Sequence, residues 1–176
     1  MSKSKNKVPL KTKIIVILVP LSIGLFSASF VKYKVVMPLS IPNGYMEPTL
    51  KQGSTAYFTK WFRKSQIGIG DVVLVTSPLD PNSYFIARIV GKPGDSIAVQ
   101  KRMVFRNGTV LDPNLFPEPT TQSIALIPQG KTEHDDMKEV TVPEKIFFLL
   151  ADNREIGVDS RTLGPIQESQ IIAVLW

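Results

Sequence analysis

Cysteine is absent from this 176-residue chain, and histidine occurs once. No disulfide can staple the fold, no thiol can act as nucleophile, and neither a cysteine cage nor a multi-histidine metal centre can be built. The single His134 lies in a Glu-His-Asp-Asp stretch and reads as a solvated surface residue. Internal repeats, heptads and glycine-rich phosphate loops are also missing, so neither a metal nor a cofactor is expected. A chain of this length can bury one ordinary core and carry an anchor, and is too short for two ordinary domains. With no cysteine, any secreted domain it forms is held by its core alone.

The net charge of +6 suggests a nucleic-acid partner until it is divided along the chain. Residues 1–13 hold five lysines and no acid, and residues 32–176 carry 16 basic and 15 acidic residues, a balance of only +1. The basic excess belongs to a tail and not to a face, which excludes nucleic acid as a partner. Residues 14–31 read IIVILVPLSIGLFSASFV, eighteen residues without a charge. That length reaches the short end of what crosses a hydrocarbon core of about 30 Å. Five lysines before the run against Lys32 and Lys34 after it place the N-terminus in the cytoplasm and residues 32–176 outside the cell membrane. The expected organisation is a basic cytoplasmic tail over 1–13, a transmembrane anchor over 14–31, and an extracytoplasmic domain over 32–176. The rival is a cleaved secretory signal ending near Ser27-Ala28-Ser29; against it, the run exceeds the usual apolar core of about 7–15 residues.

The remainder is patterned for strands. Val35-Val36-Met37 and residues 39–42 predict a short strand, with Pro38, Pro42 and Pro48 excluding helix and confining this piece to an edge. Residues 54–64 are aromatic and basic, with Tyr57, Phe58, Trp61 and Phe62 among Lys60, Arg63 and Lys64. Two readings fit them: rings and cations set at lipid-headgroup depth, or a strand and turn with one core face. Strands are predicted over 72–75, 84–90 and 96–99. A hairpin over 102–111 is predicted around Asn107-Gly108, whose residues both tolerate positive φ. Residues 112–138 read as a long exposed loop or small insertion, 140–150 as one strand, and 171–176 as a closing strand. Short strands without helical period imply a mainly β, antiparallel fold, either a partly closed barrel or paired sheets.

Four blocks then carry a resemblance. Ile41-Pro42-Asn43-Gly44-Tyr45-Met46-Glu47-Pro48-Thr49-Leu50 follows the anchor. Behind it come Gly70-Asp71-Val72-Val73, the run from Phe85 through Arg88 to Gly91-Lys92-Pro93-Gly94-Asp95, and the run from Ala151 to Arg161, with Gly164 beyond. In this order they resemble type I signal peptidases, membrane-anchored serine–lysine proteases that cut signal peptides at the outer membrane face. That family writes the first block as Pro-Ser-x-Ser-Met-x-Pro-Thr-Leu, the third as Tyr-Ile-Lys-Arg-Val-Val-Gly-x-Pro-Gly-Asp, and the last as Gly-Asp-Asn-Arg-x-x-Ser-x-Asp-Ser-Arg. The resemblance covers nearly the whole chain and implies a signal-peptidase-like β-fold behind one transmembrane helix.

The chemistry departs from the pattern. A serine hydroxyl needs a positioned base, and in this family the base is a lysine whose pKa is lowered by apolar surroundings. The resemblance puts Tyr45 at the nucleophile and Ala87 at the base. It puts Asn43 at an oxyanion-hole hydroxyl and Gly157 at the serine that orients the lysine. A phenol is too long to place its oxygen where the serine oxygen would stand, and an alanine accepts no proton. Asn43 could still donate a hydrogen bond, which does nothing for acyl transfer without a nucleophile. The substitutes weighed, Ser40, Ser160, Lys92 and His134, all lie away from the positions the resemblance marks. Asp152, Arg154, Asp159 and Arg161 read as charge pairs that brace two turns, and together with Arg88, Asn153 and Ser160 they frame the site.

The resemblance thus implies a catalytically silent member that keeps its cleft. An extended peptide would add as a strand along Ile41, Pro42, Asn43, Gly44, Tyr45 and Met46 on one side and Phe85, Ile86 and Ala87 on the other. It is similar to the signal-peptidase-like chaperones of Gram-positive pilus operons, which implies a pilin precursor or a sortase as partner. Two alternatives stay open: an active serine endopeptidase using displaced residues, and a decoy that holds signal peptides.

Overall fold

A computed structural model describes residues 9–30, 35–101, 103–115 and 136–176. The expectations for His134, Lys32 and Lys34, for most of the basic tail and for residues 116–135 of the long loop fall outside these residues. The apolar run is one α-helix, α1 (Leu10–Phe30), starting four residues before the run itself. Its window Lys11–Phe30 is long and apolar enough to cross a membrane, and none of it is buried against the rest of the chain. Twenty residues at 1.5 Å each give about 30 Å, the thickness of a hydrocarbon core.

The body is antiparallel β. Seven strands form one sheet: β1 (Val36–Ser40), β2 (Thr55–Thr59), β3 (Val72–Thr76), β4 (Tyr84–Gly91), β9 (Ile146–Leu150), β10 (Ile166–Gln167) and β11 (Ile171–Leu175). Their order is β1-β2-β11-β3-β4-β9-β10. Four more, β5 (Ser96–Gln100), β6 (Met103–Arg106), β7 (Thr109–Val110) and β8 (Met137–Thr141), form a second sheet ordered β7-β6-β5-β8. Among the described residues neither sheet closes on itself, so of the two arrangements expected the paired sheets are the one adopted and the barrel is not. Pro38 sits in β1 opposite Tyr57, and β1 lies at the edge of its sheet, where a missing N–H costs no ladder bond.

The single strand expected over 140–150 is two strands in different sheets. β8 pairs with β5, β9 pairs with β4, and the chain turns between them at Pro143 and Lys145, the latter at φ 60°. Proline lacks the N–H a ladder requires, and a left-handed residue reverses the chain. The hairpin at Asn107-Gly108 forms with φ of 51° and 75°, both in the left-handed region that the tight turn demands.

Strand β4 organises the core, and its side chains are buried from Ile86 through Gly91. Ala87 and Ile89 join Val73, Val75, Phe147, Leu149 and Ile166 on one face. Ile86 points the other way into a cluster with Ile41, Met46, Phe58, Val72 and Leu74. Val90 meets Ile97, Val104, Phe148 and Leu150, which ties the second sheet to the first. Alternation along the strand is what lets one element serve three clusters. Gly91 stands at the junction, because a Cβ there would lie 2.8 Å from Ile97 Cγ1 and 3.0 Å from Phe148 Cβ.

Candidate functional site

The segment after β1 is a compact loop tied back onto its own start. Ile41 N–H donates to Ser54 O at 2.9 Å, and Gly53 N–H donates to Ile41 O at 2.9 Å. Within the loop, Leu50 N–H donates to Met46 O at 2.8 Å. Ile41 and Met46 are buried with Ile86 and anchor the loop to the sheet. Asn43 Oδ1 accepts from Tyr45 N–H at 3.3 Å, an Asx turn that leaves the Asn43 amide N–H₂ as its free donor side. Tyr45 is half-buried and Pro42 exposed.

A backbone relay links this loop to the last motif. Asn153 N–H donates to Tyr45 O at 2.9 Å, and Gly157 N–H donates to Asn153 O at 2.9 Å. Three of the four positions that the resemblance marks, Asn43, Tyr45 and Gly157, are therefore joined by three hydrogen bonds. The fourth, Ala87, is fully buried on β4 in the apolar cluster of Val73, Val75 and Phe147, on the face opposite Ile86. The nine expected cleft residues so divide between two faces. Ile41, Met46 and Ile86 share one cluster, while Ala87 and the half-buried Phe85 belong to the other.

Charged groups hold these pieces in register. Arg88 donates through Nε to Asp152 Oδ1 at 2.7 Å, through Nη2 to Oδ2 at 2.5 Å, and through Nη1 to Gly70 O at 2.7 Å. Thr49 Oγ1 accepts from Arg88 Nη2 at 3.1 Å and donates to Asp152 Oδ2. With the Asp152 side chain wholly buried, this fork joins the loop, β4 and the last motif in a single pair. Asp159, also wholly buried, accepts from Ala151 N–H at 3.0 Å, Arg161 N–H at 3.0 Å, and Arg161 Nε and Nη2 at 2.9 and 2.8 Å. Arg161 Nη2 reaches on to Arg154 O at 3.0 Å. Asp159 is the N-cap of the short helix α2 (Ser160–Leu163), and Ser160 Oγ accepts from Leu149 N–H at 3.0 Å. Asp152 thus pairs with Arg88 and Asp159 with Arg161, while Arg154 enters the network through its carbonyl oxygen. Thr49 is the frame member that sequence reasoning missed; it lay inside the motif, and only its position between two charges gives it a role.

A third buried carboxylate, Asp95, braces the hairpin. It accepts from Lys92 N–H at 2.8 Å, Arg106 Nε at 2.7 Å and Asn107 Nδ2 at 2.8 Å. Burial disfavours its charge, but the bonds from Arg106, Lys92 and Asn107 outweigh this and hold its carboxyl below the usual value of 3.8.

One edge of β4 is open beside this frame. Gly70 N–H donates to Ile89 O and Ile89 N–H to Asp71 O, so Ile89 turns its backbone groups toward β3. Antiparallel alternation then turns those of Tyr84 and Ile86 to the opposite side. On that side β9 pairs only from Arg88, opposite Leu150, and onward. Among the described residues, no strand pairs with the outer edge of Tyr84–Ala87.

A family profile described as "Signal peptidase, peptidase S26" matches residues 12–175. The chain is 30% identical over 167 residues to signal peptidase I V of Bacillus subtilis (strain 168), covering 91% of this chain and 92% of that one. It is also 30% identical over 166 residues to signal peptidase I of Pseudomonas fluorescens, with 78% of this chain matched. There the match spans only 58% of the relative's length. A crystal structure of a signal peptidase I from Enterococcus faecalis V583 shares the fold, with a TM-score of 0.50, 22% identity, 62% of this chain covered and 96% of that one. The chain belongs to the peptidase S26 signal peptidase family.

Proposed function

We propose that this protein is a membrane-anchored, catalytically silent signal peptidase homologue that binds an extended peptide or pilin precursor at the outer face of the cell membrane and assists pilus assembly. The observation that carries the reading is at the base position. Ala87 has no ionisable group and is fully buried among apolar side chains, where no water-borne base can stand in for it. Tyr45, at the nucleophile position, offers a phenol in place of a serine hydroxyl. The intact Arg88–Asp152–Thr49 and Asp159–Arg161 braces support a cleft that outlives its chemistry. The backbone edge at Tyr84 and Ile86, unpaired among the described residues, supports binding by strand addition, in which main-chain bonds give affinity and side-chain pockets give register.

The names of the relatives favour a second reading, an active peptidase with displaced groups. The displaced candidates lie in other parts of the frame. Ser160 Oγ is bonded to Leu149 N–H beneath β9, Ser40 ends the edge strand β1 opposite Thr55, and Lys92 sits in the turn braced by Asp95.

The test is full-length protein in lipid vesicles with a signal-bearing pre-protein and, separately, a pilin precursor. The expected result is no cleavage and retention of a precursor in pull-down. Cleavage by the wild-type chain that disappears in Ser40→Ala, Lys92→Ala or Ser160→Ala would overturn the reading in favour of the enzyme.

A further inference from the structure

Gly157 stands closer to a neighbour than any other glycine among the described residues. A Cβ added to it would lie 2.1 Å from the Ala151 Cβ and 2.6 Å from the Asn153 carbonyl oxygen. Its φ is outside the left-handed region, so the backbone would accept any residue, and space alone excludes a side chain. Both sides of the contact are pinned. Ala151 is fully buried and its N–H is bonded to Asp159 Oδ2 at 3.0 Å, while the Gly157 N–H is bonded to Asn153 O at 2.9 Å. Neither can retreat without straining a hydrogen bond, which for Ala151 is a buried one.

The signal peptidase pattern has the reverse arrangement at these two positions: glycine where this chain has Ala151, and the base-orienting serine where it has Gly157. We propose that Ala151 is a positioning residue whose methyl group occupies the space of a side chain at 157. The silent cleft would then be locked by a coupled Ala151/Gly157 exchange as well as by Tyr45 and Ala87. Its consequence for hydrolysis rests on the proposed function; the packing claim does not. A hydroxyl at 157 is excluded for as long as residue 151 carries a Cβ. Restoring nucleophile and base alone therefore leaves any lysine at 87 without its orienting partner. The Asn153 carbonyl still crowds position 157 when Ala151 is removed, so relief requires a small shift of the 153–157 turn and is partial.

The experiment is a double-mutant cycle on the full-length protein in detergent, read by thermal unfolding with circular dichroism. Gly157→Ser is expected to lower Tm by about 5 °C or more, as overpacking of a closed site does. In the Ala151→Gly background the same change is expected to cost less than half as much. Equal costs in the two backgrounds would overturn the inference, whether or not the protein is an enzyme. The second arm adds the changes to Tyr45→Ser/Ala87→Lys and measures pre-protein cleavage. Gly157→Ser is expected to raise the rate at least tenfold only when Ala151→Gly is also present. Gly157→Ala in that same background, equal in backbone bulk but without a hydroxyl, is expected to match it in Tm and not in rate. A rate gain with Ala151 retained would refute the coupling. Cleavage by the wild-type chain would refute the proposed function and leave the Tm cycle to decide the packing.

Discussion

Replacing Ala87 by lysine turns the central inference into a measurement. Ala87 is fully buried among Val73, Val75, Ile89, Phe147 and Leu149, so an ammonium placed there would lose its water. An unfolded lysine titrates near about 10.4, and complete burial lowers that by roughly 3–5 units. At the lower figure the folded value falls to about 7. At about 1.36 kcal/mol per unit, three units cost about 4 kcal/mol at pH 7 and below. The unfolded chain holds the proton more tightly, so stability rises with pH between about 7 and 10.4. The added methylenes overpack the cluster for about another 1–3 kcal/mol that does not vary with pH. For a chain of this size, each kcal/mol moves Tm by about 2–4 °C. Thermal unfolding of the full-length Ala87→Lys variant in detergent, followed by circular dichroism, should show a deficit against wild type that narrows by about 8–16 °C between pH 7 and pH 10.5. A deficit constant across that range would mean that the amine reaches solvent, and Ala87 would not be the sealed apolar position that the proposed function needs. A narrowing deficit would say more. The site then has the environment that would leave a lysine there largely neutral, and so able to act as a base, near neutral pH.

Three further expectations follow from the frame and the surface. Arg88→Ala strands a wholly buried carboxylate at Asp152 and is expected to cost about 3–5 kcal/mol in urea unfolding, while Arg88→Ala/Asp152→Ala costs clearly less than the summed singles; additivity would show that the pair is not coupled. Asp95 has a lowered folded pKa, so its contribution is complete above its ordinary 3.8 and is lost as pH falls below that value; the stability gap between wild type and Asp95→Asn should be flat near neutrality and close in acid, and a flat gap throughout would refute the brace. The chain's two tryptophans, Trp61 and Trp176, are 73% and 72% exposed and line a groove of about 390 Å³ with Val35, five residues beyond the end of α1. Brominated lipids should quench most of their fluorescence in the reconstituted protein, because five residues reach at most about 18 Å from the membrane exit; undiminished emission would place the groove away from the bilayer.

The aromatic stretch over 54–64 shows where local pattern stops. Phe58 is fully buried and Tyr57 is 56% exposed, as alternation on a strand requires. The core-face reading therefore holds for β2, yet nothing in residues 54–64 announces that Trp61 would share a groove with Trp176, which lies at the far end of the chain.

What the sequence determined by itself was whatever nearest neighbours and composition control. The apolar run had to be a helix of membrane length, Asn107-Gly108 had to turn, Pro38 had to lie at an edge, and the order of the motif blocks pointed to the family. Tertiary structure decided what depends on residues far apart. It split 140–150 between two sheets, because β8 and β9 each find a different partner strand. It set Thr49 between Arg88 and Asp152, and turned Ile86 and Ala87 to opposite faces of one strand. It also put the Ala151 methyl where a side chain at 157 would stand. In the sequence those two positions are merely six residues apart in a loop; the Asp159 carboxylate and the Asn153 carbonyl, by pinning their backbones, bring them into one space that holds only one Cβ.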